Sequence, residues 1–277
     1  MNPPCRWKIR RPGVLIPVFF LSCMSAGGQF HGGEAIVAAT GNSYAARVGF
    51  SAVSMNQAGL GWVRRTSVSM HHQMPFVTTE VSVSSLAVQF PVSRGAFGVS
   101  FSGYGIRGLR YSTAWIAYGT ELHPDVSAGA GIHFRAASIP GEVFYRLGAG
   151  CALGIQFRIG NEIMAGAHVM LPVCWSSGSG KRGNGDMTIA AGISRTFFQS
   201  ATLYAELHIR PGDFIRTGAG LEATVGECVR LSMGFRHSPL TLACGAEVRL
   251  RSWTMQIAGE YVLDTGNTPY ATLVYTF

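Results

Sequence analysis

The last seven residues of the chain, Ala-Thr-Leu-Val-Tyr-Thr-Phe at 271–277, decide the fold. Their side chains alternate, with Ala271, Leu273, Tyr275 and Phe277 on one face and Thr272, Val274 and Thr276 on the other. Successive side chains of a β-strand point to opposite faces, so this pattern predicts a final strand with one apolar face. The strand ends on an aromatic residue, and a second aromatic residue lies two positions earlier.

The same alternation recurs through most of the sequence. Between 201 and 210, one face would carry Leu203, Ala205, Leu207 and Ile209, and the other Thr202, Tyr204, Glu206, His208 and Arg210. Such segments predict fourteen strands, near 62–72, 80–90, 95–104, 108–120, 125–136, 143–158, 162–174, 186–197, 201–210, 214–225, 228–237, 240–250, 252–262 and 269–277. Single-chain bacterial barrels have even strand numbers. A water-soluble sandwich with the same alternation is the alternative.

Composition favours the barrel. Only 13% of the residues are charged, against roughly 25% in an ordinary soluble domain. After the first 28 residues no apolar run is long enough for a spanning helix. Low charge without such a helix is typical of strands whose outer side chains face lipid. We therefore expect an all-β protein, a transmembrane antiparallel β-barrel of about 14 strands.

The first 28 residues predict a cleaved secretory signal peptide. Arg6, Lys8, Arg10 and Arg11 precede an apolar stretch from 14 to 21 and a small-residue segment at 25–28. Cys23 leaves lipidation open as an alternative. The remaining chain carries 18 basic against 14 acidic residues, and the basic ones are spread singly, which disfavours nucleic-acid binding.

Two motifs resemble those of known outer-membrane barrels. The aromatic pair Tyr275 and Phe277 resembles the assembly signal on the closing strand of such barrels. The Gly- and Ala-rich stretch that begins at Gly41 and contains Asn56-Gln57-Ala58-Gly59 resembles the start of barrels in the long-chain fatty-acid channel (FadL) family and the related PorV/PorQ-type barrels of Bacteroidota. That resemblance implies an N-terminal plug or hatch segment at 29–61 before a barrel at 62–277. A simple loop at residues 56–59 is the alternative.

Glycine is frequent at positions predicted to face the lumen. Gly weakens a strand and commonly marks the close approach of other atoms. The pattern therefore suggests a lumen partly filled by another segment. The inward glycines are Gly129, Gly131, Gly148, Gly150, Gly154, Gly166, Gly192, Gly218, Gly220, Gly234 and Gly245.

Charged side chains of both signs share the inward faces of the later strands. The candidate lumen or ligand residues are Glu206, His208, Arg216, Glu222, Arg230, Glu247 and Arg249. One interpretation is a set of ion pairs that brace the lumen. The other is a polar site whose arginines select anionic groups such as carboxylate or phosphate. Neighbouring strands would bring Glu222, Arg230 and Glu247 or Arg249 together.

Several smaller expectations concern strands, turns and aromatic residues. The segment 80–90 changes phase at Ser84-Ser85, which a β-bulge would repair. Tight turns are predicted near 160–161, 226–227 and 249–251, and longer loops near 72–79, 137–142, 175–185 and 263–268. An interfacial aromatic girdle is predicted from Trp62, Trp115, Trp175, Trp253, Tyr111 and Tyr261.

The functional expectation is a bacterial outer-membrane channel or transporter for small amphipathic or hydrophobic molecules, gated by the plug. The alternative is an accessory barrel of protein export, similar to those of type IX secretion. Expected partners are outer-membrane lipids, the barrel-assembly machinery, and either an amphipathic ligand or secretion components. No motif indicates catalysis, a cofactor or a metal, and we take His71 and His72 as loop residues.

Overall fold

The computed structural model describes residues 33–106, 109–138, 146–175, 187–211, 215–263 and 265–277. The predicted signal peptide, Cys23 and most of the loop at 175–185 lie outside these ranges. Within them, no helix is long and apolar enough to cross a bilayer.

Fourteen antiparallel strands within the described residues close into one barrel, which confirms the predicted fold class. Each strand pairs with its neighbours in sequence, and the first pairs with the last. The strands are β1 Ser67–Gln73, β2 Val83–Val92, β3 Gly95–Ile106, β4 Leu109–His123, β5 Val126–Ser138, β6 Arg146–Ile159, β7 Ile163–Trp175, β8 Thr188–Phe197, β9 Ala201–Ile209, β10 Arg216–Val225, β11 Val229–His237, β12 Thr241–Leu250, β13 Trp253–Val262 and β14 Gly266–Thr276.

The seam between β1 and β14 closes the barrel. Val68 lies opposite Tyr275 in the register, and the backbone N–H of Phe277 donates to the carbonyl of Thr66 at 2.9 Å. The Tyr275 ring packs against the rings of Trp253 and Phe277, with centroids 4.8 Å apart in both pairs. The predicted final strand is therefore the closing strand.

The two faces of the strands differ as the alternation requires. On β13, Met255 and Ile257 point outward and are 48% and 65% exposed, whereas the inward Gln256 is 2% exposed. Leu231, Met233 and Phe235 of β11 are likewise exposed. Membrane barrels present such an apolar band to hydrocarbon.

Two strand predictions are wrong in detail. β1 begins at Ser67 rather than near residue 62, because residues 57–62 form a 3-10 helix that packs inside the barrel. β2 needs no bulge, since its register with β1 and β3 is continuous; Ser84 faces outward and Ser85 inward. The irregularity in pairing lies instead between Glu121 and His123 of β4.

Connection length differs between the two ends of the barrel. At the short-turn end the strands are joined by 93–94, 124–125, 160–162, 198–200, 226–228 and 251–252. At the opposite, long-loop end, β5 and β6 are separated by 139–145 and β7 and β8 by 176–187. Both of these long connections lie near predicted positions, but three connections at the same end are short: 107–108 between β3 and β4, 238–240 between β11 and β12, and 263–265 between β13 and β14. The predicted alternation of turn length is therefore present only in part.

Residues 33–62, which we call the inner segment, contact the inward faces of strands on both sides of the barrel. The helix α1, Ala35–Ala39, packs against β11–β14, and the 3-10 helix Gln57–Trp62 packs against β3–β6. A second 3-10 helix, Phe50–Val53, lies between them in sequence. The inner segment contributes no strand, so the hydrogen-bond ladder of the barrel is complete without it.

Candidate functional site

The candidate site is the contact between the inner segment and the lumen wall. Its first part is Glu34, which is 3% exposed. Its Oε1 accepts the backbone N–H of Ser51 at 2.6 Å, and its Oε2 accepts Gln256 Nε2 of β13 at 3.3 Å. The backbone N–H of Ala35 donates to Thr272 Oγ1 of β14 at 2.9 Å. This carboxylate thus joins two parts of the inner segment to the wall.

Glu206 of β9 holds the middle of the inner segment. One carboxylate oxygen, Oε2, accepts the backbone N–H groups of Tyr44 at 2.6 Å and Ala45 at 2.8 Å. The other oxygen lies 3.3 Å from His208 Nε2. The Tyr44 ring packs beside His208 and His168, with centroid distances of 5.2 and 6.0 Å. Burial raises the pKa of the Tyr44 phenol above its ordinary value, with Glu206 adding to the effect, so the phenol stays neutral.

Arg47 is the buried cation of the inner segment. Its Nη1 lies 2.5 Å from Glu222 Oε1 of β10, and its guanidinium stacks over the Tyr204 ring at 4.2 Å. Two further donors reach Ser43 O and Thr40 Oγ1 within the segment. Burial alone would lower the pKa of Arg47, but the negative charge of Glu222 in particular outweighs burial, and the pKa is raised. Arg47 is therefore always charged.

A polar chain on the wall connects the two charged residues of the inner segment. Arg230 lies 3.5 Å from Glu222 and 3.6 Å from Glu247. Glu247 also accepts Arg249 Nε at 2.7 Å and Gln256 Nε2 at 2.8 Å. Because Gln256 donates to Glu34 and Glu222 pairs with Arg47, the polar chain is a continuous network of wall residues between Glu34 and Arg47.

Asn56 and Gln57 occupy the opposite side of the lumen and are 1% and 0% exposed. Asn56 Nδ2 donates to Ala45 O at 2.6 Å, and Asn56 Oδ1 accepts the N–H of Ala58 at 3.2 Å. From the wall, the Ser127 hydroxyl donates to Ala58 O, and Gln156 Nε2 donates to the carbonyls of Ala45 and Arg47. The motif Asn56, Gln57, Ala58 and Gly59 thus lies buried at the start of a 3-10 helix, and its role as a plug stays a prediction.

The glycines of the inner wall make room for the inner segment. A Cβ atom at Gly129 would meet the Gln57 backbone, and one at Gly218 would meet the Gly41 carbonyl. Similar close approaches occur at Gly154, Gly166, Gly220, Gly234 and Gly245. At Gly150 the close neighbour is instead the ring of His133. Most of the inward glycines noted in the sequence therefore face the segment.

The structure brings most of the predicted candidate residues together in two groups. Glu222, Arg230, Glu247 and Arg249 form the polar chain, while Glu206 and His208 contact each other beside Tyr44. Arg216 lies opposite His208 in the β9–β10 register. Sequence reasoning missed the buried partners Glu34, Arg47, Gln156 and Gln256, although charges inside a predicted plug were a usable signal.

Some predictions about aromatic and histidine residues are wrong. Trp115 is not in an outer girdle: it is 2% exposed and packs inside the barrel. Trp62 also lies inside, where its Nε1 donates to Gln156 Oε1 at 3.0 Å. Trp253 and Tyr261 do face outward, and the Trp175 side chain lies outside the described residues. His71 and His72 belong to β1 rather than to a loop.

Solved structures share this fold. The CymD monoaromatic hydrocarbon channel matches with a TM-score of 0.72 at 11% identity, covering 91% of this chain and 99% of that chain. The toluene transporter TodX of Pseudomonas putida matches with a TM-score of 0.70 at 12% identity, covering 88% and 97%. A FadL homologue of Pseudomonas aeruginosa matches with a TM-score of 0.63 at 9% identity, covering 88% and 98%.

At these identities the likeness shows the fold. It agrees with the predicted barrel fold, whereas the FadL-family, PorV/PorQ-type and Bacteroidota assignments stay predictions. No family model and no curated protein matches this chain.

Proposed function

We propose that this protein is a bacterial outer-membrane channel for small hydrophobic or amphipathic molecules and that the inner segment is its gate. The apolar outer surface favours a membrane location, and the predicted signal peptide would direct export. The solved structures with the same fold are described as hydrocarbon channels and toluene transporters.

The observation that carries the proposal is how the inner segment is held. It crosses the lumen and contacts both sides, yet the barrel ladder closes without it through β1 and β14. Its contacts with the wall are side-chain hydrogen bonds, the Arg47–Glu222 ion pair and apolar packing. A segment held in this way can move while the barrel remains intact.

A reversible cross-link tests the gate. A Cβ atom added to Gly192 of β8 would lie 3.3 Å from the Ala45 Cβ, close to the separation of about 3.5–4.5 Å found in disulfides. Ala45→Cys and Gly192→Cys would be combined in a variant whose native cysteines are alanine. We expect cells that produce this variant to take up radiolabelled toluene when the disulfide is reduced and to lose uptake when it is oxidised.

The two single-cysteine variants are the matched controls, because they should be insensitive to the oxidant. Equal uptake by the oxidised and reduced double variant would show that movement at this contact is unnecessary. Absence of uptake in both states, together with co-purification of secretion components, would favour the export-scaffold alternative instead.

A further inference from the structure

The two sides of the lumen differ in chemistry. The inward positions of β9–β13 carry the charged residues Glu206, Arg216, Glu222, Arg230, Arg236, Glu247, Arg249 and Glu260. On β4–β7, the inward positions from Gly129 to His133 and their register partners with described side chains carry Gly, Ala, His, Trp and Met, and none of these is charged. The inward charges that the structure describes on these strands, Glu121, Arg135 and Arg158, lie closer to the strand ends. An apolar molecule entering this lumen would avoid the charged side, where it would separate ions from their partners.

A layer of large side chains covers the uncharged side. The rings of Trp115 and His133, which are opposite each other in the β4–β5 register, have centroids 4.4 Å apart. Met170 of β7 is 2% exposed and belongs to the same apolar cluster as Trp115. Gly150 of β6 leaves the space that the His133 ring occupies.

This layer lies just beyond the inner segment, toward the long-loop end. Gly119 and Gly131 contact the 3-10 helix Gln57–Trp62, and Trp115 and His133 lie further along the same strands. Leu60 and Val53 of the inner segment pack into the cluster that contains Trp115 and Met170. Movement of the inner segment would therefore uncover this layer.

The side chains in the layer are those that bind aromatic rings. Trp and His offer π faces, and the thioether of Met makes favourable contacts with aromatic rings. Arg135, whose Nη2 lies 4.0 Å from Met170 Sδ, places a cation at the long-loop edge of the layer. A saturated ring of the same size would gain burial of apolar surface but no stacking.

We infer that molecules pass along the β4–β7 side of the lumen, and that Trp115, His133 and Met170 select flat aromatic rings over saturated rings of similar size. This inference rests on the proposed channel function. It assigns the selectivity to three wall residues and leaves the charged side, β9–β13, to hold the inner segment.

Paired substrates test the selectivity. Uptake of ethylbenzene and of ethylcyclohexane would be measured in cells that produce the wild type, Trp115→Leu or Met170→Leu. An aromatic contact is worth about 0.5–1.5 kcal/mol, so Trp115→Leu should lower the ratio of aromatic to saturated uptake by about 2- to 10-fold. Met170→Leu should lower the ratio in the same direction. Trp253→Leu, on the lipid face, should leave it unchanged.

A binding measurement separates failure of this inference from failure of the channel proposal. Bromobenzene should quench the tryptophan fluorescence of the wild type in detergent, and the quenched component should be missing from Trp115→Leu. An unchanged uptake ratio in both wall variants, with folded protein confirmed by heat-modifiable migration in gels, overturns the inference alone. Quenching at Trp115 without uptake by the wild type would support the ring site and overturn the channel proposal. Absence of both overturns both.

Discussion

Arg47 and Glu222 form a buried ion pair across the lumen, with side chains that are 6% and 5% exposed. Arg47→Ala would leave the Glu222 carboxylate buried with Arg230 and the Tyr204 hydroxyl as its remaining partners among the described residues. Breaking a buried pair costs on the order of 3 kcal/mol. We expect the inner segment to leave the wall, which limited proteolysis between residues 34 and 62 would detect as faster cleavage.

The matched control is an exposed ion pair in the same molecule. Arg195 and Glu162 lie 3.5 Å apart with side chains that are 54% and 64% exposed. Exposed pairs contribute less than about 1 kcal/mol, so Arg195→Ala should leave the cleavage rate unchanged. Equal cleavage of the two variants would mean that Arg47 does not hold the inner segment.

Single residues also show where sequence reasoning stops. Period-two alternation correctly turned Glu222, Arg230 and Glu247 inward, and strand adjacency brought them together. The alternation predicted no partner for Arg47, because contacts between a segment without regular secondary structure and the barrel wall do not recur at a fixed sequence spacing. Trp115 was misassigned because the side chains of β4 allow either phase, and only the surrounding strands decide it.

At the scale of single strands, wall glycines set how closely the inner segment approaches. Gly129→Ala of β5 would push a methyl group into the Gln57 backbone, which cannot rotate away as a side chain can. Such overpacking typically costs about 1–3 kcal/mol. We expect ion conductance in planar bilayers to rise because the inner segment fits less closely.

Gly259→Ala of β13 is the control for this prediction, since nothing lies within 4 Å of a Cβ atom at Gly259. Its conductance should equal that of the wild type. Wild-type conductance of Gly129→Ala would show that the wall tolerates the methyl group without displacing the segment.

Phe277 follows the closing strand and stabilises its end. Phe277→Ala keeps the backbone hydrogen bond to Thr66 and removes only the ring contact with Tyr275. The loss of one aromatic pair is worth about 0.5–1.5 kcal/mol, so the assembled barrel should be nearly as stable as the wild type. If the aromatic pair is an assembly signal, the folded fraction in membranes should nevertheless fall several-fold.

Phe198 is the control for that substitution because it is 96% exposed in the β8–β9 turn. Phe198→Ala should assemble normally, as judged by heat-modifiable migration. Equal folded fractions for both variants would remove the assembly role from Phe277 and leave it a minor packing contact.

The strands themselves were largely predictable, because one apolar and one polar face must alternate when lipid covers the outside. The strand predictions failed where the alternation of polar and apolar residues does not decide the structure. The first strand was predicted to begin near residue 62, but Trp62 ends a 3-10 helix and donates a hydrogen bond to Gln156 inside the barrel. Ser84 and Ser85 point to opposite faces of β2. Because both residues are small and polar, the sequence does not show which of them faces the lumen.

For the whole molecule, the strand ladder and the inner segment are separable. A variant lacking residues 33–62 keeps all fourteen strands and the β1–β14 seam, so it should still form a barrel. Its lumen would lose the groups that cover Glu206, Glu222 and Glu247 and would fill with water. We expect ion conductance well above that of the wild type, together with unchanged heat-modifiable migration. Wild-type conductance in a folded variant would place the barrier in the wall itself.

The position of the inner segment before β1 has a consequence for biogenesis. Its partners lie on strands from β2 to β14, and several of them belong to β11–β14, which the ribosome makes last. Until the partner strands are in place, Glu34 lacks its wall partner Gln256 and Arg47 lacks Glu222, so water must solvate both charges. That water can leave completely only after β1 has paired with β14. The last step of folding is therefore dehydration of the lumen rather than strand pairing.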